Sequence, residues 1–334
     1  MHERIPKAPP EILPVTKIAH RPLFSVMIPS YNCIKYLKYT LESVLAQDPG
    51  RDMMQIEVID DCSTDGDVAA LVNQVGKGRV SFFKQPENRG SLRNFETCLN
   101  RSYGLYIHLL HGDDLVKQGF YEEIKNLVDK YAGIGSAITN FNWIDENEVE
   151  SPPSLNLLPT PGILNNWLQR IASRQMVQPP AVVVKREVYE KLGGFFAVHY
   201  GEDWEMWIRI ASKYKVAYSP KCLATYRGGH NSNISTRSIL SGENFRDLSN
   251  VIDIVQNYLP IAERKKLKHL AKKNFSISYS KSSYKLYKKH HANKSIAFLL
   301  ASGALKFNIN IRSAYWISRL FLAYCGSFFK PISK

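Results

Sequence analysis

Short apolar runs alternate with amphipathic segments along the first third of this 334-residue chain. Each run has the length and residue types of a buried strand, and each segment that follows spaces its apolar residues as a helix does. Because parallel strands need a crossover between them, the alternation predicts an α/β fold with a mostly parallel sheet flanked by helices. The predicted strands are 24–29, 56–60, 80–83 and a run that starts at Tyr106, and the predicted helices are 34–47, 67–75 and 91–101.

Polar residues follow the predicted strands at their carboxyl ends, where open α/β sheets bind ligands. The most informative of them, Asp113 and Asp114, place two carboxylates side by side. Adjacent carboxylates repel each other and are costly to desolvate unless a cation or the donors of a ligand neutralise them. The pair therefore predicts a site for Mg²⁺ or Mn²⁺, which prefer oxygen ligands and often bridge to a diphosphate. The alternative is that Asp114 caps a helix beginning near Leu115.

The common nucleotide-binding loops are absent from the sequence. No G-x-G-x-x-G follows the first predicted strand, and no G-x-x-x-x-G-K-[ST] occurs anywhere. A nucleotide bound by this chain would therefore need a cation for its phosphates.

Cysteine spacing and the N-terminal residues indicate an intracellular protein. The five cysteines are scattered and form no C-x-x-C pair, which is typical of reduced thiols and not of a disulfide framework or a zinc site. Residues 1–22 are rich in proline and lack the apolar core of a signal peptide, which indicates an irregular leader. The catalytic part is therefore expected in the cytoplasm.

Positive charge is concentrated near the C-terminus. Residues 240–334 hold 17 Lys and Arg but four Asp and Glu, an excess of +13 out of a total of +14. These residues alternate with Leu, Phe and Tyr on helix-like sequence, and no stretch reaches the roughly 20 apolar residues of a spanning helix. One interpretation is a set of amphipathic helices on an anionic membrane surface, where each basic residue contributes about 1 kcal/mol. The other is a helical extension packed on the catalytic domain with a solvated basic face.

Six sequence blocks occur in order between residues 24 and 230. They are Val26–Asn32, Val58–Gly66, Asn88–Asn94, Gly112–Asp114, Gly193–Phe195 and Glu202–Arg209. Together they resemble the signature blocks of family-2 glycosyltransferases with the GT-A fold, which is a Rossmann-like sheet flanked by helices. The resemblance implies an inverting transferase that uses a nucleotide-activated sugar, often linked to uridine diphosphate, and a divalent cation, Mn²⁺ or Mg²⁺.

The resemblance also implies donor-binding residues. Pro29 and Tyr31 would lie along the base and ribose, Asp61 would accept a hydrogen bond from the base, and Arg93 would reach the base or the diphosphate. Each residue has an ordinary structural alternative. Pro29 would end a strand, Tyr31 would pack as an aromatic, Asp61 would form a turn with Ser63, and Arg93 would be a solvated helix residue.

For the metal, the resemblance implies direct coordination by Asp114, with Asp113 on the ribose or on the metal through water. His230 would approach the metal or the diphosphate, and Arg227 would face the diphosphate, although a loop histidine is as readily solvated. One departure concerns the position two residues before the pair, where many relatives carry a carboxylate and this chain has His111. The ligand set and the metal preference therefore stay open.

For catalysis and the acceptor, the resemblance implies that Asp203 is the general base. Glu202 is the second candidate for that role or a residue at the acceptor site, and Gln178 would hydrogen-bond an acceptor sugar. The structural alternative is that Asp203 caps a helix over 204–212, a role that is compatible with catalysis.

Three parts of the chain are thus predicted: an irregular leader (1–22), a GT-A catalytic domain (23–240) and a basic helical extension (241–334). The leading function is sugar transfer from a nucleotide-sugar, UDP-linked in the first instance, to a hydroxyl of a glycan or lipid-linked acceptor in surface polysaccharide biosynthesis. This would take place at the inner face of the cell membrane. A sugar-nucleotide nucleotidyltransferase would want a glycine-rich basic loop after the first strand, which Ser30-Tyr31-Asn32 lacks. A nucleic-acid-binding protein fits the pI of about 9.4 but leaves the aspartates unexplained, so no nucleic-acid partner is expected.

Overall fold

A large mixed sheet forms the centre of the protein in the computed structural model, which describes residues 3–16, 20–228, 234–289 and 294–328. All four strands predicted from the sequence occur. The first three begin and end within two residues of their predicted bounds, and the fourth begins at Tyr106 as predicted but ends at Leu109, before the aspartate pair. The strands are β1 (Phe24–Ser30), β2 (Met54–Asp60), β3 (Ser81–Lys84), β4 (Tyr106–Leu109), β5 (Leu115–Val116), β6 (Ile134–Ile144), β7 (Gly162–Ile163), β8 (Val182–Lys185) and β9 (Lys215–Arg227).

The strand order is β3-β2-β1-β4-β8-β6-β9-β5, with β7 beside β9. Strand β1 pairs in parallel with β2 and β4, and β2 pairs in parallel with β3, so the carboxyl ends of four strands share one edge. Strand β8 lies antiparallel between β4 and β6, which makes the other half of the sheet mixed. The α/β prediction is confirmed, and the parallel half carries the edge where ligand-binding residues were expected.

Helices cover both faces of the sheet and follow one another in the C-terminal part of the chain as far as Phe328. Helix α3 has the bounds predicted for it, and Asp67 caps α2 by accepting a hydrogen bond from Ala70 N. The helices are α1 (Ile34–Leu45), α2 (Val68–Gly76), α3 (Ser91–Arg101), α4 (Phe120–Lys130), α5 (Trp167–Ser173), α6 (Arg186–Leu192), α7 (Glu202–Ala211), α8 (Ile234–Ser241), α9 (Glu243–Ile254), α10 (Ile261–Lys289), α11 (Lys294–Phe307) and α12 (Ile311–Phe328).

Two predicted helix starts are wrong. Leu115 begins strand β5, which pairs with β9, and the next helix starts only at Phe120, so Asp114 is not a helix cap. Helix α7 starts at Glu202 after Gly201, whose φ of 91° ends the preceding loop, so Asp203 lies in the first turn and is not the cap. In both places the chain turns through a glycine that has left-handed backbone geometry.

The N-terminal segment packs on the catalytic domain, although residues 3–16 form no helix or strand. Ile12 is buried in the main core, and the carbonyl of Pro10 accepts a hydrogen bond from Gly194 N at 2.8 Å. The leader is therefore irregular but attached.

Helix α10 of the C-terminal extension also packs on the catalytic domain. Leu267 and Ala271 of α10 belong to the same core as the sheet, and the ring of Phe275 meets that of Trp204 with centroids 5.0 Å apart. Asn274 Nδ2 donates to Ser173 O at 3.0 Å. None of the helices in the described ranges is both long and apolar enough to span a bilayer.

Candidate active site

A deep cleft opens at the carboxyl ends of the parallel strands and has a volume of about 1190 Å³. It brings together most of the residues that were singled out from the sequence. Asp114 lies buried at the cleft, Arg93 is not among the lining residues, and His230 lies outside the described residues. The predicted residues that line it are Pro29, Tyr31, Asp61, Asp113, Gln178, Glu202 and Asp203.

The aspartate pair lies in the loop between β4 and β5 together with His111. One ligand atom from each of His111, Asp113 and Asp114 lies within 4.8 Å of the others. Burial lowers the pKa of the His111 imidazole, so the neutral form that binds metals is favoured. The position where many relatives carry a carboxylate thus supplies a nitrogen donor to the same cluster.

Asp114 is a buried carboxylate with only one of its two oxygens hydrogen-bonded among the described residues. Its Oδ1 accepts a hydrogen bond from Arg227 N at 2.8 Å, while Oδ2 is buried without a hydrogen-bond partner among the described residues. Burial, and then the charge of Asp113, raise the pKa of Asp114 well above its usual range. A buried carboxylate oxygen without a donor costs free energy that a bound cation removes. The three side chains therefore fit a divalent cation, with Asp114 Oδ2 as the ligand atom that most needs one.

The loop that carries Asp113 and Asp114 is held in place by contacts with β1 and α1. A Cβ at Gly112 would lie 2.8 Å from Cys33 Sγ and 3.3 Å from Pro29 O of β1, so the close approach favours glycine at this position. Gly112 N donates to Pro29 O at 3.1 Å, and Thr40 Oγ1 donates to Asp114 O at 2.8 Å. These contacts position the carboxylates independently of any ligand.

Arg227 does not point into the cleft, contrary to the expectation that it faces the diphosphate. Its side chain is fully buried, its Nε donates to Asp113 O at 2.9 Å, and its guanidinium pairs with Glu148 and lies 4.4 Å from the ring centroid of Tyr36. The side chain therefore supports the loop that carries Asp113 and Asp114 from the side away from the cleft, a role that its place in the sequence did not indicate.

At the other end of the cleft, Asp61 is held by a turn. Its carboxylate accepts hydrogen bonds from Arg89 N at 2.7 Å, Gly90 N at 2.8 Å and Asn88 Nδ2 at 3.0 Å. Burial raises the pKa of Asp61, while these backbone donors and then the charge of Arg4 lower it. The turn with Ser63 that was the alternative for Asp61 is made by Asp60 instead, which leaves Asp61 at the cleft.

Pro29 and Tyr31 flank this end of the cleft, and Tyr31 is 40 % exposed. Arg93 is engaged elsewhere: its Nε donates to Glu3 O at 2.8 Å, and its guanidinium pairs with Glu96 at 2.7 Å. The guanidinium that lines the cleft beside Asp61 belongs to Arg4 of the N-terminal segment. No motif in the sequence signals Arg4, because it lies in the leader, far from every block.

Across the cleft, Asp203 lies at the start of α7 with its carboxylate buried. Oδ1 accepts from Trp204 N and Oδ2 accepts from Gln175 Nε2, both at 2.7 Å. Burial raises the pKa of Asp203 to about 6, while the hydrogen bonds from Trp204 N and Gln175 oppose that rise. The pKa of neighbouring Glu202 is raised well above its usual range by burial and then by the charge of Asp203. A carboxylate that titrates near 6 is suited to accept a proton near neutral pH.

Gln175 was not identified from the sequence. It lies 28 residues before Asp203 in an irregular segment, and only the tertiary fold makes the contact. Gln178, which was singled out, also lines the cleft, next to the short 3₁₀ turn Pro179–Ala181.

Comparison of the sequence with known proteins identifies a family and several relatives. The model for glycosyl transferase family 2 matches residues 25–193, about half of the chain. Over 105 residues, the chain is 33 % identical to TuaG of Bacillus subtilis, whose name assigns it to teichuronic acid biosynthesis; the match covers 31 % of this chain and 40 % of TuaG. An uncharacterised Mycobacterium tuberculosis protein is 27 % identical over 229 residues, which cover 62 % of this chain and 67 % of that protein.

Solved structures share the fold. The TarS fragment 1–349 of S. aureus, in complex with UDP-GlcNAc, has a TM-score of 0.63 at 15 % identity. The match covers 91 % of this chain and 87 % of the TarS fragment. The mannosyltransferase PcManGT of Pyrobaculum calidifontis, in complex with GDP-Man and Mn²⁺, has a TM-score of 0.54 at 17 % identity. The match covers 99 % of this chain and 85 % of PcManGT. At this identity the likeness shows the GT-A fold and nothing finer.

The family match favours glycosyl transfer over nucleotidyl transfer and over nucleic-acid binding. The six sequence blocks, the sheet and the cleft at its carboxyl edge agree with it. The chain therefore belongs to glycosyl transferase family 2.

Proposed function

We propose that the protein is an inverting glycosyltransferase that moves a sugar from a nucleotide diphosphate donor, UDP-linked in the first instance, to a hydroxyl of a glycan or lipid-linked acceptor. The observation that carries the proposal is the arrangement of carboxylates in one cleft. Asp61 lies at one end, the cluster of His111, Asp113 and Asp114 lies in the loop after β4, and Asp203 lies at the start of α7.

In the proposed reaction, the acceptor hydroxyl oxygen attacks the anomeric carbon as the bond from that carbon to the diphosphate oxygen breaks. Asp203 takes the hydroxyl proton, and the diphosphate leaves with the electron pair. A single displacement inverts the anomeric centre. Gln175 and Trp204 N hold the Asp203 carboxylate in one orientation, which supports its use as a general base.

His111, Asp113 and Asp114 would hold the divalent cation, and His230, which lies outside the described residues, remains a proposed ligand. When bound, the cation supplies electrostatic stabilisation for the charge that gathers on the diphosphate. Asp113 is also a proposed ribose contact, and Pro29, Tyr31 and Asp61 are proposed contacts of the nucleoside. Gln178 and Glu202, on the same wall as Asp203, are proposed to contact the acceptor.

The direct test is a screen of sugar nucleotides for hydrolysis in the presence of Mn²⁺ and without acceptor. We expect slow release of UDP from one UDP-sugar, stimulated by Mn²⁺ and abolished by a chelator. The proposal would be ruled out if the protein released a nucleotide diphosphate from none of the UDP-, GDP- and dTDP-sugars and if calorimetry detected no nucleotide binding.

A second part of the proposal concerns the C-terminal extension at the inner face of the cell membrane. Helix α12 exposes Ile311 (90 %), Tyr315 (50 %) and Leu322 (72 %), which recur at intervals of four and seven and so share one side of the helix. Arg312 and Arg319 lie beside this apolar row, and Arg319 stacks on Tyr315. An exposed apolar row beside basic residues is typical of helices that lie on anionic membranes.

We therefore expect the protein to sediment with liposomes that contain anionic lipid, and much less with neutral liposomes, at physiological salt. Leu322→Ser should weaken this binding because it removes one of the most exposed apolar side chains of the row. Leu155→Ser is the matched control, since Leu155 is 85 % exposed but lies on the catalytic domain. Equal binding to both kinds of liposome would contradict the membrane proposal.

A further inference from the structure

The N-terminal segment is attached at several points to the catalytic domain before it reaches the cleft. Arg186 Nη2 donates to Leu13 O at 2.8 Å, and Ala197 N donates to Pro6 O at 2.9 Å. Ile12 is 1 % exposed in the main core. These contacts bring the chain to the rim of the nucleotide end of the cleft, where Arg4 is one of the lining residues.

Arg4 is coupled to Asp61 through one amide. The Arg4 guanidinium donates from Nη1 to Asn88 O at 3.0 Å and from Nη2 to Asn88 Oδ1, and Asn88 Nδ2 donates to the Asp61 carboxylate. Gly90 lies against the Arg4 side chain, because a Cβ at Gly90 would be 3.2 Å from Arg4 Nε. The Asp61 carboxylate, which accepts hydrogen bonds, and the Arg4 guanidinium, which donates them, therefore lie on either side of the Asn88 amide. Because Gly90 has no side chain, it leaves the space that the guanidinium occupies.

A guanidinium has five N–H groups, and the two hydrogen bonds to Asn88 engage one on each terminal nitrogen. Within the part of the chain that the structure describes, the other N–H groups of Arg4 make no hydrogen bond and can donate to a ligand. A carboxylate accepts hydrogen bonds and a guanidinium donates them, so the pair matches a ring that presents an N–H next to a carbonyl. Uracil and guanine have such an edge, whereas adenine and cytosine have no ring N–H on it.

We propose that Arg4, supplied by the N-terminal segment, donates a hydrogen bond to a carbonyl of the donor nucleobase whose ring N–H faces Asp61. This inference rests on the proposed function, because it assigns a further specificity-determining residue to the same nucleotide site. Arg93 then acts on the segment and not on the base. Its hydrogen bond to Glu3 O holds the residue next to Arg4 in place.

The test compares two ligands in the full chain with Mn²⁺ present: UDP, which carries a base, and inorganic pyrophosphate, which does not. We expect Arg4→Ala to weaken UDP binding about 10- to 100-fold, as for one hydrogen bond from a charged donor, and to leave pyrophosphate binding unchanged. Arg4→Lys should fall between the two proteins, because an ammonium keeps the charge but not the planar fork.

Lys7→Ala is the control for the segment. The Lys7 side chain is 89 % exposed and pairs with Glu3, so its loss should change UDP affinity by less than about twofold. An equal loss of UDP and pyrophosphate binding in Arg4→Ala would overturn the assignment to the base, because a phosphate contact or a collapsed segment affects both ligands. Unchanged UDP binding in Arg4→Ala would overturn the inference alone, whereas a wild-type protein that binds neither ligand would overturn the proposed function with it.

Discussion

Replacing Asp203 by asparagine is expected to abolish sugar transfer, with a loss of about 10²- to 10⁴-fold, the usual contribution of a general base. Asparagine keeps the shape of the side chain but cannot take the proton of the acceptor hydroxyl. Donor affinity should stay close to that of the wild type, because the residues proposed to contact the nucleoside line the cleft from other elements. Transfer is measured as acceptor-dependent release of UDP, and affinity by calorimetry with UDP and Mn²⁺.

Glu202→Gln is the comparison for this substitution, since the two carboxylates are adjacent and both are buried. A loss of transfer in Glu202→Gln with full activity in Asp203→Asn would assign the base to Glu202. Equal loss of transfer and donor affinity in Asp203→Asn would show that the aspartate is structural, because the first turn of α7 would then depend on it.

Gln175→Leu provides a pH-dependent version of the same test. The base must be deprotonated to act, so activity should fall as the pH drops through the pKa of Asp203, which is about 6. Gln175 donates to the ionised carboxylate and lowers this pKa, and its loss raises it. The acidic limb of the pH–rate profile should therefore move to higher pH, and an unmoved limb would mean that Asp203 is not the titrating base.

Replacing Asp114 by asparagine is expected to remove the effect of Mn²⁺ on the protein. In the wild type, Mn²⁺ should raise the melting temperature, because a ligand that binds the folded state stabilises it. It should also support UDP binding. In Asp114→Asn both effects should disappear, since the buried Oδ2 that lacks a donor is the ligand atom the cluster depends on most. Loss of a catalytic cation removes several kcal/mol of stabilisation of the leaving diphosphate, so transfer should be lost as well.

Glu122→Gln is the matched control, because Glu122 is an exposed carboxylate on α4 outside the cleft. It should leave the Mn²⁺-dependent shift of the melting temperature unchanged. Mn²⁺ is the first ion to test, since the imidazole of His111 makes the ligand set less suited to Mg²⁺, which prefers oxygen. A full Mn²⁺ shift in Asp114→Asn would place the cation elsewhere.

Local pattern determined much of the site. The apolar runs that end at Ser30, Asp60 and Asp113 are predictable as parallel strands, and the carboxyl ends of parallel strands meet at one edge whatever the rest of the chain does. That rule brings Asp61 and Asp113 to one cleft from the sequence alone. The match to the family blocks then supplied Asp203, and the resemblance as a whole supplied Gln178, although no periodicity indicates either residue.

Other features were decided by long-range contacts. The resemblance implied that Arg227 faces the diphosphate and that Arg93 reaches the base or the diphosphate. The fold instead buries Arg227 behind the loop of Asp113 and Asp114 and pairs Arg93 with Glu3 and Glu96. The helix cap that was the alternative for Asp114 is excluded because the residues after it form β5, which pairs with β9.

By itself, the sequence determined the α/β class, the edge of the sheet that carries the site and the acidic residues placed there, because strand and helix periods and strand ends are local properties. The tertiary structure alone decided which side chains are partnered at the site. Gln175 meets Asp203 across 28 residues, and Arg4 meets Asn88 across 84. The direction of a side chain depends on which distant segment packs over it, and no pattern within a short window contains that information.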